Sequence, residues 1–171
     1  MMSQKADQEE RKSPKPCPAA YEMRRAGRAD YHFALALYVD GSAKHLQKIG
    51  RWDEARILRR FERAYDLGVS HIIGVDGREA GYLQVVEFKR QIYLRQLHLA
   101  DFARNRGIGA HLIEQIKARG VELGKPVTLD VLHGNRACEL YLRLGFQPIR
   151  ANLDKTRMIW RLGRRGRASV G

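Results

Sequence analysis

The sequence predicts a mixed α+β fold, with a central, mostly antiparallel sheet of six to seven strands flanked by about four helices. Two observations lead to this fold class. Apolar residues recur at helical spacing early in the chain and give way to strand-like segments in its middle. Later, strands and helices alternate, which requires a crossover between parallel strands. A chain of 171 residues suits a single domain.

The first elements are a short strand over residues 21–25 and two helices. Asp30 is a candidate N-cap for the first helix, which carries Phe33, Leu37 and Tyr38. Asp53 is a candidate N-cap for the second. The apolar stripe of the second helix consists of Ile57, Leu58, Phe61, Ala64 and Tyr65. Its outward face carries Arg56, Arg59, Arg60 and Arg63.

Three strands follow over residues 69–75, 81–88 and 91–99. The dipeptide Asp76-Gly77 is typical of a tight hairpin turn, and Lys89-Arg90 forms a short basic turn between the second and third strands. An antiparallel meander is therefore expected.

The last part of the chain alternates helices and strands. A polar loop over residues 100–106 leads into a helix that Gly124 ends. A strand over 126–131, a helix over 137–144 and strands over 146–149 and 156–160 complete the order. The apolar stripe of the helix after the loop is Ile108, Leu112, Ile113 and Ile116.

Composition limits the function classes. The formal net charge of +13 favours anionic ligands or a solvated basic surface. Residues 1–18 are expected to be a disordered leader without a signal peptide, 19–162 the domain and 163–171 a basic tail. Cys17 and Cys138 are too far apart to form a metal motif, and a reducing cytoplasm is the default location. No apolar run is long enough to span a membrane.

The stretch RNRGIGAHLI holds two closely spaced glycines, Gly107 and Gly109, before a helix. A dinucleotide fingerprint would need Gly or Ala where Leu112 stands and a tight turn directly after the strand that ends at Leu99. Asp130 matches its acidic position, but the long loop argues against this motif. A Walker A loop is excluded because no Gly-Lys-Ser/Thr follows. A pyrophosphate cradle and a helix start with packing glycines stay equally open.

Two motifs together resemble the GNAT superfamily of acyl-CoA N-acyltransferases. The first is Leu97-x-Leu99 followed by Arg104-x-x-Gly107-x-Gly109. The second, about thirty residues on, contains Asn135, Ala137, Tyr141, Gly145 and Phe146. The order of elements over residues 20–162 also matches that family. The segment Trp52-Asp53-Glu54-Ala55, with Phe61, is similar to a poorly characterised bacterial branch of it.

The resemblance implies that acetyl-CoA lies between two splayed parallel strands, over residues 91–99 and 126–131. The implied CoA-binding residues are Leu97, His98, Leu99, Arg104, Asn105, Arg106, Gly107, Ile108, Gly109, Ala110, Asn135 and Tyr141. The implied reaction is direct attack of a primary amine on the acetyl group, with Tyr141 as general acid. A core position for Tyr141 and an N-cap role for Asn135 are the structural alternatives.

The general base is less clear from the sequence. The family often places a Glu on the strand before the cradle, and the strand here has no carboxylate. Glu87 on the neighbouring strand is the first candidate and His98 the second. Cys138 is expected to pack rather than react. No metal is implied.

The expected partners are acetyl-CoA and a small amine or peptide acceptor, and the basic charge favours an acceptor with anionic character over a polycation. The alternative function is a non-catalytic module that binds acyl-CoA or, weakly, nucleic acid. No aromatic-rich strand motif for base stacking is present, so a nucleic-acid role is disfavoured. A homodimer stays open.

Overall fold

The computed structural model describes residues 20–163. The expected leader over 1–18, with Cys17, and the expected tail from residue 164 onward lie outside the described residues. The helices are α1 (Tyr31–Lys48), α2 (Glu54–Ala64), α3 (Ile108–Leu123) and α4 (Ala137–Arg143). The strands are β1 (Glu22–Arg25), β2 (Ser70–Val75), β3 (Arg78–Glu87), β4 (Ile92–Leu99), β5 (Val127–Leu132), β6 (Gln147–Ala151) and β7 (Lys155–Trp160).

The described strands form one seven-stranded sheet in the order β1-β2-β3-β4-β5-β7-β6. Every neighbouring pair is antiparallel except β4 and β5, which are parallel and are joined by a crossover through α3. The predicted α+β class, the seven strands and the four helices are therefore confirmed. The turn between β2 and β3 also agrees with the prediction, since both Asp76 (φ 53°) and Gly77 (φ 72°) have positive φ.

Helices cover both faces of the sheet, and neighbouring residues of one strand belong to different cores. Ile73 and Leu83 pack with α3 and α4, while Ile72 and Tyr82 pack with α1 and α2. This alternation follows from the two-residue period of a strand. None of the described helices is both long enough and apolar enough to cross a membrane.

The helix ends agree with most sequence expectations. Asp53 caps α2 by accepting a hydrogen bond from the Arg56 N–H at 2.9 Å. Gly124 ends α3 in the left-handed conformation at φ 64°. The expected second-helix stripe is only partly buried: Ile57 and Phe61 are in the core, whereas Leu58 is 37% exposed.

Asp30 is the N-cap residue of α1, as predicted, but its side chain does not cap the helix. Asp30 lies at the start of α1, but its carboxylate makes no hydrogen bond to that helix. It accepts instead from the Gly27 N–H at 2.6 Å and from two Arg24 nitrogens at 2.7 Å each. A charge-assisted pair with a guanidinium is stronger than a bond to a helix N–H, and Arg24 on β1 is close enough to form it.

Candidate active site

The two central strands separate in the middle of the sheet. β4 and β5 pair only from Ile92 to Leu94 against Val127 to Leu129, although β4 continues to Leu99 and β5 to Leu132. Beyond this point a cleft of about 300 Å³ opens between α1, α2 and the ends of both strands. Asn135 and Tyr141 also line it. The structure therefore contains the splayed parallel pair that the resemblance implies.

A β-bulge at Arg95 bends β4 away from β5. Gln84 of β3 pairs with Gln96 and the next residue, Val85, pairs with Leu94, so Arg95 has no partner across the strand pair. Leu94 and Leu97 both belong to the core under α3. Arg95 and Gln96, between them, line the cleft together with both leucines.

The cradle, residues 104–110, has an unusual backbone. Asn105 (φ 59°) and Gly107 (φ 79°) are left-handed, and α3 begins directly after Gly107. The N–H of His111 bonds to the Gly107 carbonyl, but within residues 20–163 the N–H groups of 105–110 have no acceptor. Six consecutive free donors at the positive end of a helix dipole form a site that suits a phosphate group.

Arginine contacts and packing fix the cradle at the end of β4. Arg104 donates from Nε to the Leu99 carbonyl at 2.8 Å and from Nη2 to Asp40 at 3.1 Å. Arg106 binds Asp76 at 3.0 Å. A Cβ on Gly109 would lie 3.8 Å from both Leu99 and Leu140, so the start of α3 is close to α4 as well as to β4.

Tyr141 projects from α4 with its ring in the core and its hydroxyl in the cleft. The side chain is 8% exposed, and its ring packs against Phe146 with centroids 5.9 Å apart. The hydroxyl has no hydrogen-bond partner among the described residues, yet it is not sealed from solvent, because it is reachable from the cleft. Burial raises the pKa of Tyr141 to about 12. The hydroxyl is therefore protonated at neutral pH and is free to donate a proton.

Asn135 stabilises the start of α4. Its Oδ1 accepts from the Ala137 N–H at 2.8 Å, which is the capping role that the sequence left open. Its Nδ2 donates to no described residue, and the side chain lines the cleft. Capping and a second contact to a ligand are thus compatible. Cys138, next to it, packs against the core under α3, as the sequence predicts.

His98 faces α1 and is held on two sides. Its Nε2–H donates to Gln96 Oε1 at 2.8 Å, and its ring meets the edge of Tyr38 at 5.7 Å. A Cβ on Gly41 would lie 2.6 Å from Nδ1, so this nitrogen points into α1. Desolvation and the nearby charge of Arg104 lower the pKa of His98 to about 4. The imidazole is therefore neutral at pH 7, and its free nitrogen is packed against Gly41 of α1, a residue that also lines the cleft.

Glu87 lies outside the cleft. It pairs across from Ile92, where β4 and β5 are still joined, and its side chain is 43% exposed. Arg119 of α3 donates to it at 2.9 Å and lowers its pKa. This position does not favour Glu87 as the base.

An ionic network around Asp130 closes the apex of the cleft. The sequence does not predict it, because Asp130 stands out there only as a possible acidic residue of a dinucleotide motif. Asp130 of β5 accepts from Lys155 at 2.5 Å, from Arg157 Nε at 2.7 Å and from the Tyr93 hydroxyl at 3.0 Å. Burial alone would raise the pKa of Asp130, but the bonds from Arg157 and Lys155 outweigh it and hold the pKa well below its usual range. The network joins β4, β5 and β7 at the point of separation.

A family model for the acetyltransferase (GNAT) domain matches residues 67–148. This range includes the cradle, Asn135 and Tyr141. The chain belongs to the GNAT superfamily of acetyltransferases.

Solved acetyltransferase structures share the fold. The chain superposes on the PaiA N-acetyltransferase from Thermoplasma acidophilum in complex with coenzyme A, with a TM-score of 0.66 and 14% identity, covering 84% of this chain and 99% of that one. An acetyltransferase from Thermus thermophilus gives 0.62 and 15%, covering 83% and 97%. An N-acetyltransferase from Staphylococcus aureus gives 0.60 and 15%, covering 81% and 100%. Comparison with curated protein sequences gives no significant match.

Proposed function

We propose that this GNAT protein transfers an acetyl group from acetyl-CoA to a primary amine by direct attack. The observation that carries the proposal is the opening between β4 and β5, which has the Tyr141 hydroxyl on its lining and six free N–H donors close to its end. A phosphate site and a proton donor thus both lie near the end of β4. That combination suits a long donor molecule with a phosphate at one point and a reactive thioester at another.

The cradle fits the pyrophosphate of CoA. The N–H donors of residues 105–110 are free, whereas the guanidinium groups beside them are paired, Arg104 with Asp40 and Asp101 and Arg106 with Asp76, so the backbone donors carry the fit. Beyond Leu94, the edge of β4 that faces β5 has no strand paired to it, so the backbone near Leu97 is available to an amide-bearing arm. The Leu99 carbonyl is already bonded to Arg104, so Leu97 is the stronger backbone candidate. Asn135 Nδ2 is a further hydrogen-bond donor on the lining of the cleft.

The proposed step forms a bond between the acceptor nitrogen and the acetyl carbonyl carbon, and it breaks the carbon–sulfur bond. Tyr141 gives its hydroxyl proton to the departing thiolate and is reprotonated from the cleft water. A hydroxyl with a pKa of about 12 keeps its proton at neutral pH, so it is available as a hydrogen-bond and proton donor to the negative charge that develops on the sulfur as the carbon–sulfur bond breaks.

The attacking amine must first lose a proton, and no carboxylate that lines the cleft is available to take it. Asp130 is bonded to Lys155 and Arg157, and Asp154 is paired with Arg51 at 2.7 Å. The acceptor nitrogen of His98 faces Gly41. We therefore propose that the proton leaves to water.

The charge of the cleft assists that loss. Five cationic side chains line it, namely Arg51, Arg56, Arg60, Arg95 and Lys155, against the two carboxylates of Asp130 and Asp154. A positive environment disfavours a second positive charge, so it lowers the pKa of a bound ammonium group. The turnover should consequently rise with pH up to the pKa of the bound amine, without a separate titration of a protein base.

The test is thiol release from acetyl-CoA over a panel of primary amines, together with a thermal melt with and without acetyl-CoA. At 100 times its Kd, acetyl-CoA should stabilise the protein by about 2.7 kcal/mol, which is about 5–10 °C in Tm for a chain of this size. No shift at saturating acetyl-CoA would overturn the proposal. A shift without turnover on any amine would favour the non-catalytic acyl-CoA-binding module instead.

A further inference from the structure

Helix α2 carries a basic stripe beside its apolar one. Arg56, Arg59, Arg60 and Arg63 stand at positions i, i+3, i+4 and i+7, which lie on one face of a helix. Ile57 and Phe61 point into the core and fix the direction of this stripe. Like charges at these spacings destabilise an isolated helix, so a bound anion would relieve a real repulsion.

These four arginines, with Arg95 and Ala64, line a groove of about 370 Å³, which we call the arginine groove. No carboxylate is among its lining residues. The groove is continuous with the cleft, because Arg56, Arg60, Ala64 and Arg95 line both.

Backbone geometry and hydrogen bonds hold Arg95 next to the end of α2. The bulge in β4 turns Arg95 toward α2, where its Nη1 reaches the Ala64 carbonyl at 3.5 Å. The buried Gln84 donates to the same carbonyl at 2.7 Å and holds the end of α2 on the sheet. The groove therefore lies between two elements, β4 and α2, and these bonds hold the end of α2 on the sheet.

The pairing of charges differs between the groove and its surroundings. Beside it, Arg51 is bonded to Asp154 at 2.7 Å and Arg157 to Asp130 at 2.7 Å. Within the part of the chain that the structure describes, Arg59, Arg60 and Arg63 have no carboxylate partner. Arg56 meets Asp154 only at 3.5 Å. The groove thus contains three guanidinium groups with no carboxylate partner among the described residues, beside Arg56 and Arg95, which each make one long contact of 3.5 Å.

We infer that the arginine groove binds an oxyanion, a phosphate or a carboxylate, carried by the acceptor amine. This inference rests on the proposed acetyl transfer, and it names the acceptor class as an amine that bears an anionic group. Guanidinium forks bind phosphate and carboxylate in a bidentate manner. None of the cradle residues 104–110 lines the groove or the cleft, so this anion subsite is distinct from the proposed pyrophosphate site.

Paired acceptors test the inference. O-phosphoethanolamine is compared with ethanolamine, and β-alanine with β-alaninamide, so each pair keeps the amine and changes the anion. The anionic member of at least one pair should have a kcat/KM at least tenfold higher, since one charge-assisted bond corresponds to about tenfold in affinity. The pair that shows the preference identifies phosphate or carboxylate. An equal rate within both pairs would overturn the inference and leave the acetyl transfer intact.

Three variants locate the effect. R60Q/R95Q removes two charges shared by groove and cleft, and R59Q/R63Q removes two charges of the groove alone. Both should reduce the preference at least tenfold, whereas the control R150Q, at an exposed position of the edge strand β6, should keep it. A preference that survives both double variants would overturn the inference.

A binding measurement separates the two proposals. Protection against thermal unfolding by O-phosphoethanolamine or β-alanine, in the presence of CoA, does not require turnover. Protection that R60Q/R95Q abolishes and R150Q keeps supports the anion subsite even if no acetyl transfer occurs. The absence of protection by both probes, together with equal rates, would count against it. Competition by a single-stranded oligonucleotide alone would point to a polyanion and overturn the small-acceptor assignment.

Discussion

Replacing Tyr141 by Phe removes one hydroxyl from the cleft and leaves the aromatic ring in place. The hydroxyl has no hydrogen-bond partner among the described residues, so the change leaves no protein group unpaired. The ring keeps its packing against Phe146 at 5.9 Å. The free energy of unfolding should therefore change by less than about 0.5 kcal/mol, as for substitutions that break no buried contact.

The expected effect on turnover is much larger. A positioned general acid contributes about 100-fold or more to the rate, which corresponds to about 2.7 kcal/mol in the activation barrier. Y141F should lower kcat by about that factor and leave the stabilisation by acetyl-CoA unchanged. Because burial raises the pKa of Tyr141 to about 12, the wild-type hydroxyl is protonated throughout the neutral range. The loss should consequently be the same at pH 7 and at pH 9.

Tyr65 offers a matched control. Its hydroxyl donates to the Gly27 carbonyl at 3.0 Å and does not line the cleft. Y65F should lose about 1 kcal/mol of stability with turnover unchanged, the opposite pattern to Y141F. Thiol release and thermal melts with and without acetyl-CoA measure both effects. A Y141F protein with wild-type kcat, or one that loses several degrees in Tm together with the acetyl-CoA shift, would refute the assignment of Tyr141 as general acid.

Three further predictions follow from the site. E87Q should leave kcat and its pH profile unchanged, because Glu87 is exposed and paired with Arg119; a loss of tenfold or more in thiol release would restore it as a candidate base. G41A should lower Tm and turnover, because a Cβ would lie 2.6 Å from His98 Nδ1 and overpacking costs about 1–3 kcal/mol; a Tm increase would mean that helix propensity outweighs this contact. D130N should cost about 2–3 kcal/mol in a denaturant melt, less than for a fully buried pair since the Arg157 side chain is 39% exposed. The pKa of Asp130 is held below its unfolded value of about 3.9, so its stabilising contribution is complete above that pH and is lost as pH falls below it. D130N should lack this loss of stability in acid. A D130N protein whose stability falls in acid as the wild type does would contradict the assignment.

The fold could be predicted where its signals are local. The Asp76-Gly77 turn and the Gly124 helix end each depend on a few neighbouring residues that adopt positive φ, which glycine tolerates at no steric cost. The role of the Asp30 side chain could not be predicted, because its partner Arg24 lies on β1 and comes close to it only when β1 packs in the fold. Gly41 would be expected to weaken a helix, but its lack of a side chain lets α1 approach His98.

The candidate site also has a part with local sequence signals and a part without them. The cradle is a run of consecutive residues, so its glycines and its place before an apolar helix are visible in the sequence. The cleft is not local, because Arg60, Arg95 and Asp130 come from three elements and only the sheet brings them together. One signal was available: in IYLRQLHL the aliphatic residues Ile92, Leu94, Leu97 and Leu99 stand two apart, then three, then two, and this break in alternation marks the bulge at Arg95.

The charge of the cleft connects the two proposals. Cationic walls lower the pKa of a bound ammonium and so favour the free amine, but the same field repels an acceptor whose only charge is positive. An anionic group on the acceptor resolves the conflict, since the arginine groove attracts that group while the cleft still disfavours the ammonium. An amine that has no anionic group would be repelled by the cleft as an ammonium and would not be attracted by the arginine groove, so it should bind weakly. The proposed preference for anionic acceptors and the proposed loss of the amine proton to water therefore follow from one arrangement of charge.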